Sequence, residues 1–202
     1  MYKLFFKRIL DIVISFLGLV TFSPLILLLT LYLTYVNRGK PFFYQLRPGK
    51  NSTLFVIIKF RTMNDAKDSE GNLLKDSQRL TFIGKVLRRS SLDEIPQLIN
   101  VFKGDMSIVG PRPLLREYLA LYNDEQCKRH DVKPGITGMA QVHGRNLMLF
   151  SERFEHDVWY VKNMSFKVDI KIIWLTIKRV ISSTGVVPTQ DVRDVDDVGF
   201  NK

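Results

Sequence analysis

The sequence is short of cysteine, histidine and acidic charge, and each shortage closes off a class of protein. One cysteine, Cys127, among 202 residues excludes an internal disulfide framework. Only three histidines accompany it, and no Cys/His cluster has zinc spacing. Nothing marks Cys127 with the partnered histidine that a cysteine nucleophile needs, so it reads as incidental. Glycine never falls into a P-loop or a dinucleotide fingerprint, which leaves those routes to nucleotide binding unsupported. Internal repeats and low-complexity tracts are absent. Acidic residues number 20 against 30 Lys and Arg, a net charge of +10 that calls for nucleic acid, anionic lipid or phosphorylated substrates as partners. With 46% hydrophobic and 25% charged residues, the chain is neither disordered nor polytopic. Its length suits one compact domain with a small appendage.

Charge is missing altogether from Ile12 to Val36, a run of 25 residues. At 1.5 Å per residue a helix of that length can cross a bilayer core roughly 30 Å thick. A cleaved signal peptide has a shorter apolar core and a small-residue cleavage site, which Tyr35-Val36-Asn37-Arg38 is not. Ser23-Pro24 sits at the middle of the run, where proline removes a backbone hydrogen bond. Both flanks are basic, with Lys3, Lys7 and Arg8 before and Arg38 and Lys40 after, so the positive-inside rule gives no exit side. Two arrangements fit: a helix that enters, bends at Ser23-Pro24 and leaves by the same face, or a span with a proline kink.

Beyond this segment, Pro41–Gln45 and Leu54–Phe60 read as strands of a hairpin around Pro48-Gly49-Lys50-Asn51. Residues 62–78 read as an exposed loop and Arg79–Arg89 as a helix. A second helix is expected after Ser91, ending at Gly104, with further helices over Leu114–Tyr122 and Phe150–Val161. In Phe166–Ile181, Ile170, Ile173, Trp174, Ile177, Val180 and Ile181 form one stripe, with lysines and arginine mostly elsewhere. That pattern suits an interfacial membrane helix or a core helix with a solvated basic face. The segment after Gly185 is polar and reads as a loosely ordered tail.

Chemistry concentrates in Arg88-Arg89-Ser90-Ser91-Leu92-Asp93-Glu94-Ile95-Pro96. Ser91 with Glu94 three residues on matches a capping box, which puts Asp93 and Glu94 in a first helical turn with Pro96 inside the helix that follows. The pair could serve only as caps. It could also supply an ionised Asp to attack a phosphoryl group and a neighbouring carboxylate for Mg²⁺. Arg112, stiffened between Pro111 and Pro113, and Arg145 after Gly144 offer guanidinium forks for phosphate; Lys59 and Arg61 close the second strand. Each of these cations could equally be a solvated surface residue.

Taken together, these residues resemble the bacterial sugar transferase family, the monotopic phosphoglycosyl transferases. The likeness runs through Lys7-Arg8 with Asp11, Ser23-Pro24, Gln45-Leu46-Arg47-Pro48-Gly49 and Lys59-Phe60-Arg61-Thr62-Met63. It continues through Ser91 to Val101, Lys103 to Pro113, Pro134 to Gly138, Gln141-Val142 and Gly144-Arg145-Asn146. The short chain is similar to the minimal, bacillosamine-phosphotransferase-like members. The resemblance implies a mainly α fold with a small β-hairpin (α+β). Residues 1–37 would form a re-entrant membrane helix broken at Ser23-Pro24, residues 38–185 a cytoplasmic catalytic domain carrying interfacial amphipathic helices, and residues 186–202 a tail. It implies a location on the cytoplasmic face of the bacterial inner membrane, with Lys7 and Arg8 at headgroup depth. The implied reaction moves a sugar 1-phosphate, expected to be that of an N-acetylated hexose, from a UDP-sugar to undecaprenyl phosphate and releases UMP. Asp93 would be the nucleophile, Glu94 would bind Mg²⁺, and Arg88, Arg112, Arg145 and Lys59 would contact phosphate. Nucleic acid is not an expected partner. The competing expectation is a membrane-anchored, non-catalytic binder of polyanions or lipid, which leaves the Asp93-Glu94 pair unexplained.

Overall fold

The computed structural model describes residues 2–144, 148–182 and 196–200. It is mostly helical, with two small two-stranded sheets. The charge-free run lies within one helix, α1 (Lys7–Val36), which follows a π-helical turn at Tyr2–Phe6. Helical backbone passes through Ser23-Pro24 uninterrupted, where the sequence led us to expect a break. The reason is local. Pro24 has no N–H for the Val20 carbonyl, and the Ser23 hydroxyl donates to that carbonyl instead at 2.7 Å.

The hairpin forms as expected, but its first strand is longer. β1 (Phe42–Pro48) pairs antiparallel with β2 (Leu54–Phe60), from Phe42 opposite Phe60 to Pro48 opposite Leu54. The expected loop over residues 62–78 carries two isolated bridges, Met63 with Leu80 and Lys67 with Leu73, and α2 (Asp76–Arg79) starts inside it. The helix expected over 79–89 is interrupted at Leu80-Thr81. It resumes as α3 (Phe82–Ser90), where the Thr81 side chain caps the Gly84 N–H. A 3₁₀ turn, Leu92–Glu94, precedes α4 (Gln97–Lys103), so Pro96 stands just before the helix rather than inside it. Gly104 ends α4 with φ +101°, the left-handed stop expected there.

A parallel pair, β3 (Ser107–Val109) with β4 (Gly135–Thr137), was not legible in sequence. Its strands cross so closely that a Cβ on Gly135 would lie 2.1 Å from the Gly110 nitrogen. The segment Leu114–Tyr122 contains a 3₁₀ helix, Arg116–Leu121, rather than an α-helix. It is followed by α5 (Asp124–Cys127), which opens with a true capping box between Asn123 and Gln126, and by a 3₁₀ turn at Lys128–His130. The remaining helices are α6 (Met139–His143), α7 (Phe150–Asn163) and α8 (Phe166–Ser182).

One core cluster, Val109, Val142, Tyr160, Met164 and Ile172, ties β3 to the last three helices. A second seats Leu29 and Leu33 of α1 against Phe60 and Leu87. A third, Leu114, Tyr118, Phe150 and Phe154, takes in Val198 and Phe200, so residues 196–200 of the expected tail pack on the body. In α8, Asp169 and Ile172 face inward, while Ile170, Trp174, Ile177 and Ile181 of the expected stripe are exposed.

Candidate active site

Ser91 shapes the site through its backbone rather than its hydroxyl. It ends α3 in the left-handed region, with φ +59°, and makes no side-chain cap. The expected capping box is therefore absent. Glu94 is turned away from Ser91 by stronger partners: Lys59 Nζ donates to it at 2.7 Å and Arg112 at 2.7 and 3.4 Å. A non-glycine residue held at positive φ beside two carboxylates is the kind of strain that collects at functional sites. It reverses the chain so that Asp93 and Glu94 line a cavity of about 810 Å³, together with Lys59, Arg88 and Arg112.

Each cation is placed by its own element. Lys59 comes from β2, and Arg88, from the last turn of α3, donates to the Thr62 hydroxyl at 3.1 Å. Arg112 is held from behind, because Arg129 donates to its carbonyl at 2.7 Å. Arg129 is itself buried in an ion pair with Asp157, at 2.7 and 3.2 Å, and donates to the Tyr122 hydroxyl. The Pro-Arg-Pro segment is thus fixed from the interior as well as by its prolines.

Electrostatics separates the two carboxylates. Burial pushes Glu94 upward, but Arg112 and Lys59 outweigh it and hold the carboxyl below the ordinary carboxylate range. Burial and then the Glu94 charge raise Asp93 to about 6, against Lys59, Arg88 and Arg112. The Asp93 carboxylate accepts no hydrogen bond from any described residue, so its lone pairs are free for a reacting atom. One carboxylate is locked as an anion and its neighbour is poised close to neutrality, a division of labour that suits nucleophilic or acid–base chemistry.

Among the described residues no group of three or more His, Cys, Asp or Glu gathers to hold a metal. The donor set still suits Mg²⁺, which commonly takes one or two carboxylates and completes its shell with water and substrate phosphates. Glu94 Oε1 is taken by Lys59 and Arg112, but Oε2 has only the 3.4 Å contact, and Asp93 adjoins it.

Other expected site residues fall elsewhere. Arg145 lies outside the described residues. Lys7 pairs with buried Asp169 at 2.6 Å, and Arg8 donates to the Val101 and Phe102 carbonyls at the end of α4, so both fasten α1 to the body. A buried carboxylate needs a cation and helix C-terminal carbonyls attract one, which accounts for both. Asp11 helps fasten α1 by accepting from the Ser107 hydroxyl and the Ile108 N–H at 2.9 Å. The Arg129–Asp157 pair and four further cavity arginines, Arg47, Arg79, Arg153 and Arg179, were not among the expected site residues. Of these only Arg47 carried a signal, its place in the Gln45–Gly49 motif.

The sequence that builds this fold and site matches the bacterial sugar transferase family over residues 2–183. The chain belongs to that family and is a sugar transferase, which sets aside the non-catalytic binder. Among its relatives, the sugar transferase EpsL of Bacillus subtilis is 49% identical over 187 residues, 92% of each chain. The exopolysaccharide production protein ExoY of Sinorhizobium fredii is 38% identical over 196 residues, 89% of this chain and 87% of ExoY. The undecaprenyl-phosphate galactose phosphotransferase of Salmonella typhimurium is 41% identical over 201 residues, 90% of this chain but only 41% of that longer protein.

Proposed function

We propose that this chain transfers a sugar 1-phosphate from a UDP-sugar to undecaprenyl phosphate, at the cytoplasmic face of the bacterial inner membrane, through a covalent intermediate on Asp93. The observation that carries the reading is the asymmetric carboxylate pair, with Glu94 bound by two cations and Asp93 on the cavity wall, bonded to no described residue. In the first step an Asp93 oxygen bonds to the sugar-linked phosphorus, the bond from that phosphorus to the bridging oxygen breaks, and UMP leaves with the electron pair. In the second, an oxygen of undecaprenyl phosphate attacks the same phosphorus and Asp93 departs with its electrons. Lys59 and Arg112 hold Glu94 in place and offset the charge that arrives with the diphosphate. Arg88 adds positive charge beside Asp93. Mg²⁺ bound through Glu94 and phosphate oxygens would neutralise part of that charge. An N-acetylated hexose is the donor sugar to test first.

The shape of α1 supports a monotopic, re-entrant attachment of residues 1–37 to a catalytic domain over 38–185. Both halves of the helix are buried on the same body, through Lys7, Asp11 and Ser15 at one end and Leu29 and Leu33 at the other. The five consecutive exposed residues Val20 to Pro24 lie midway between these contacts, around Ser23-Pro24. The outer face, including Phe16, Leu17, Leu27, Leu28 and Leu31, is exposed and apolar, as is the Trp174 stripe of α8. Apolar surface of that extent suits the bilayer interface, where a lipid phosphate and a soluble nucleotide can reach one cavity.

The test is UMP release from a panel of UDP-sugars with Mg²⁺, with and without undecaprenyl phosphate. Wild-type protein is expected to turn over with lipid and to release a stoichiometric burst of UMP without it. Asp93→Asn is expected to fold normally and lose turnover by about 10⁴-fold or more. Retention of a few per cent of activity by that variant would defeat the assignment of Asp93 as nucleophile.

A further inference from the structure

Two of the arginines that the steps above do not use reach the same cavity from distant parts of the chain. Arg47 lies near the end of β1 and Arg153 in the first turn of α7, and both line the cavity with Asp93, Glu94 and Arg112. Neither makes an ion pair with a described residue. Their partners are neutral. Arg47 Nη2 donates to Gln45 Oε1 at 2.6 Å, and its Nε is buried with no acceptor. Arg153 Nη2 donates to the Met148 carbonyl at 3.2 Å, and its guanidinium lies over the Phe150 ring at 4.9 Å.

The acidic groups that act on them are already engaged. Glu117, which acts on Arg47, is exposed and bonded to Arg116. Asp157, which acts on Arg153, is held by Arg129. Arg112 acts on both, and its own charge is met by Glu94. Burial, followed by the Arg112 charge, pushes both guanidinium groups down to about 10, the direction produced by cations crowded together without a counterion. An unpartnered arginine normally sits in solvent. Two that are partly buried, oriented by neutral groups and facing one cavity are unfavourable until an anion arrives. Their planar forks match the oxygens of a phosphate.

We propose that Arg47 and Arg153 form a second phosphate-binding subsite in this cavity, adjacent to the Asp93 centre, that holds a phosphate group which is not itself attacked. Under the proposed function, two phosphates meet that description: the one that leaves with uridine and the one on the lipid acceptor. The subsite would keep the second phosphate in the cavity while the first is attacked, so its contribution is to binding and positioning.

The experiment uses the full chain in lipid nanodiscs, with UMP, uridine and undecaprenyl phosphate as probes. Arg47→Gln and Arg153→Gln are expected to weaken UMP binding at least about tenfold while uridine binding stays as in wild type, if the nucleotide phosphate is the occupant. If the lipid phosphate is, UMP binding is unchanged and the KM for undecaprenyl phosphate rises by a similar factor. Unchanged UMP affinity together with an unchanged lipid KM overturns the subsite. A measurement on unmutated protein guards against variants that misfold. Phenylglyoxal labelling of Arg47 and Arg153, read by mass spectrometry, should be suppressed by UMP or by the lipid phosphate but not by uridine. Equal labelling with and without both phosphates also overturns the proposal. UMP binding and phenylglyoxal labelling need no turnover, so loss of the subsite and failure of the proposed reaction are told apart by the wild-type UMP-release assay.

Discussion

Asp93 and Glu94 are neighbours in sequence, yet their surroundings divide them. Glu94 meets two cations and stays ionised, whereas Asp93 is buried beside that charge and sits at about 6. As nucleophile Asp93 must be ionised, so protonation removes the active form as pH falls. With substrate well below its KM, where it reports the free enzyme, the rate is expected to hold above pH 7 and to drop about tenfold per pH unit below about 6. A profile flat down to pH 4.5 would mean that this carboxylate does not limit the reaction. The pair was legible as a candidate because two adjacent acids follow two arginines in an otherwise basic chain. Its wiring was not. The Ser91–Glu94 spacing read as a capping box, but Lys59, 35 residues upstream, and Arg112, 18 downstream, compete for Glu94 and win, since a charge-assisted bond outweighs a neutral cap.

At the scale of elements, long periodic segments behaved as their patterns indicated. The hairpin, α7 and α8 lie where they were expected, and α4 stops at Gly104 as expected but starts only at Gln97, after the 3₁₀ turn. Short elements did not, because their hydrogen bonds are made to distant chain. The β3–β4 pair joins segments only three residues long, and the glycines that permit it read merely as turn residues. Gly135→Ala is expected to abolish folding, because its Cβ would sit 2.1 Å from the Gly110 nitrogen, a contact between backbones that cannot yield. Gly18→Ala, whose nearest neighbour is a mobile Leu98 methyl at 3.0 Å, is expected to fold. Size-exclusion chromatography and circular dichroism of the two detergent-purified variants check both. A folded Gly135→Ala protein would show that β3 and β4 can separate.

For the whole molecule, the question is how the apolar helix meets the bilayer. Both ends of α1 are bonded to the catalytic body, by Lys7 to Asp169 and by Leu33 into the Phe60 cluster. With the two ends on one side, cysteines placed at Lys3 and Lys40 are expected to label from the cytoplasmic side alone. The exposed Cys127 must first be replaced by serine. Labelling of the two positions from opposite sides of sealed vesicles would refute the re-entrant reading and favour an ordinary span. Pro24→Ala, which restores the missing N–H at the middle of the helix, is expected to carry one terminus across in the same assay.

The amino-acid order by itself determined the existence of the apolar helix, the hairpin, the acidic pair and the family motifs. These rest on composition and short-range periodicity, which local chemistry decides. Which cations bind Glu94, why Ser91 turns left-handed, how Lys7 and Arg8 come to fasten α1, and that Arg47 and Arg153 line one cavity were decided only by the tertiary structure. Each depends on groups far apart in the chain competing for the same buried charge, and burial is what makes that competition strong enough to override local preference.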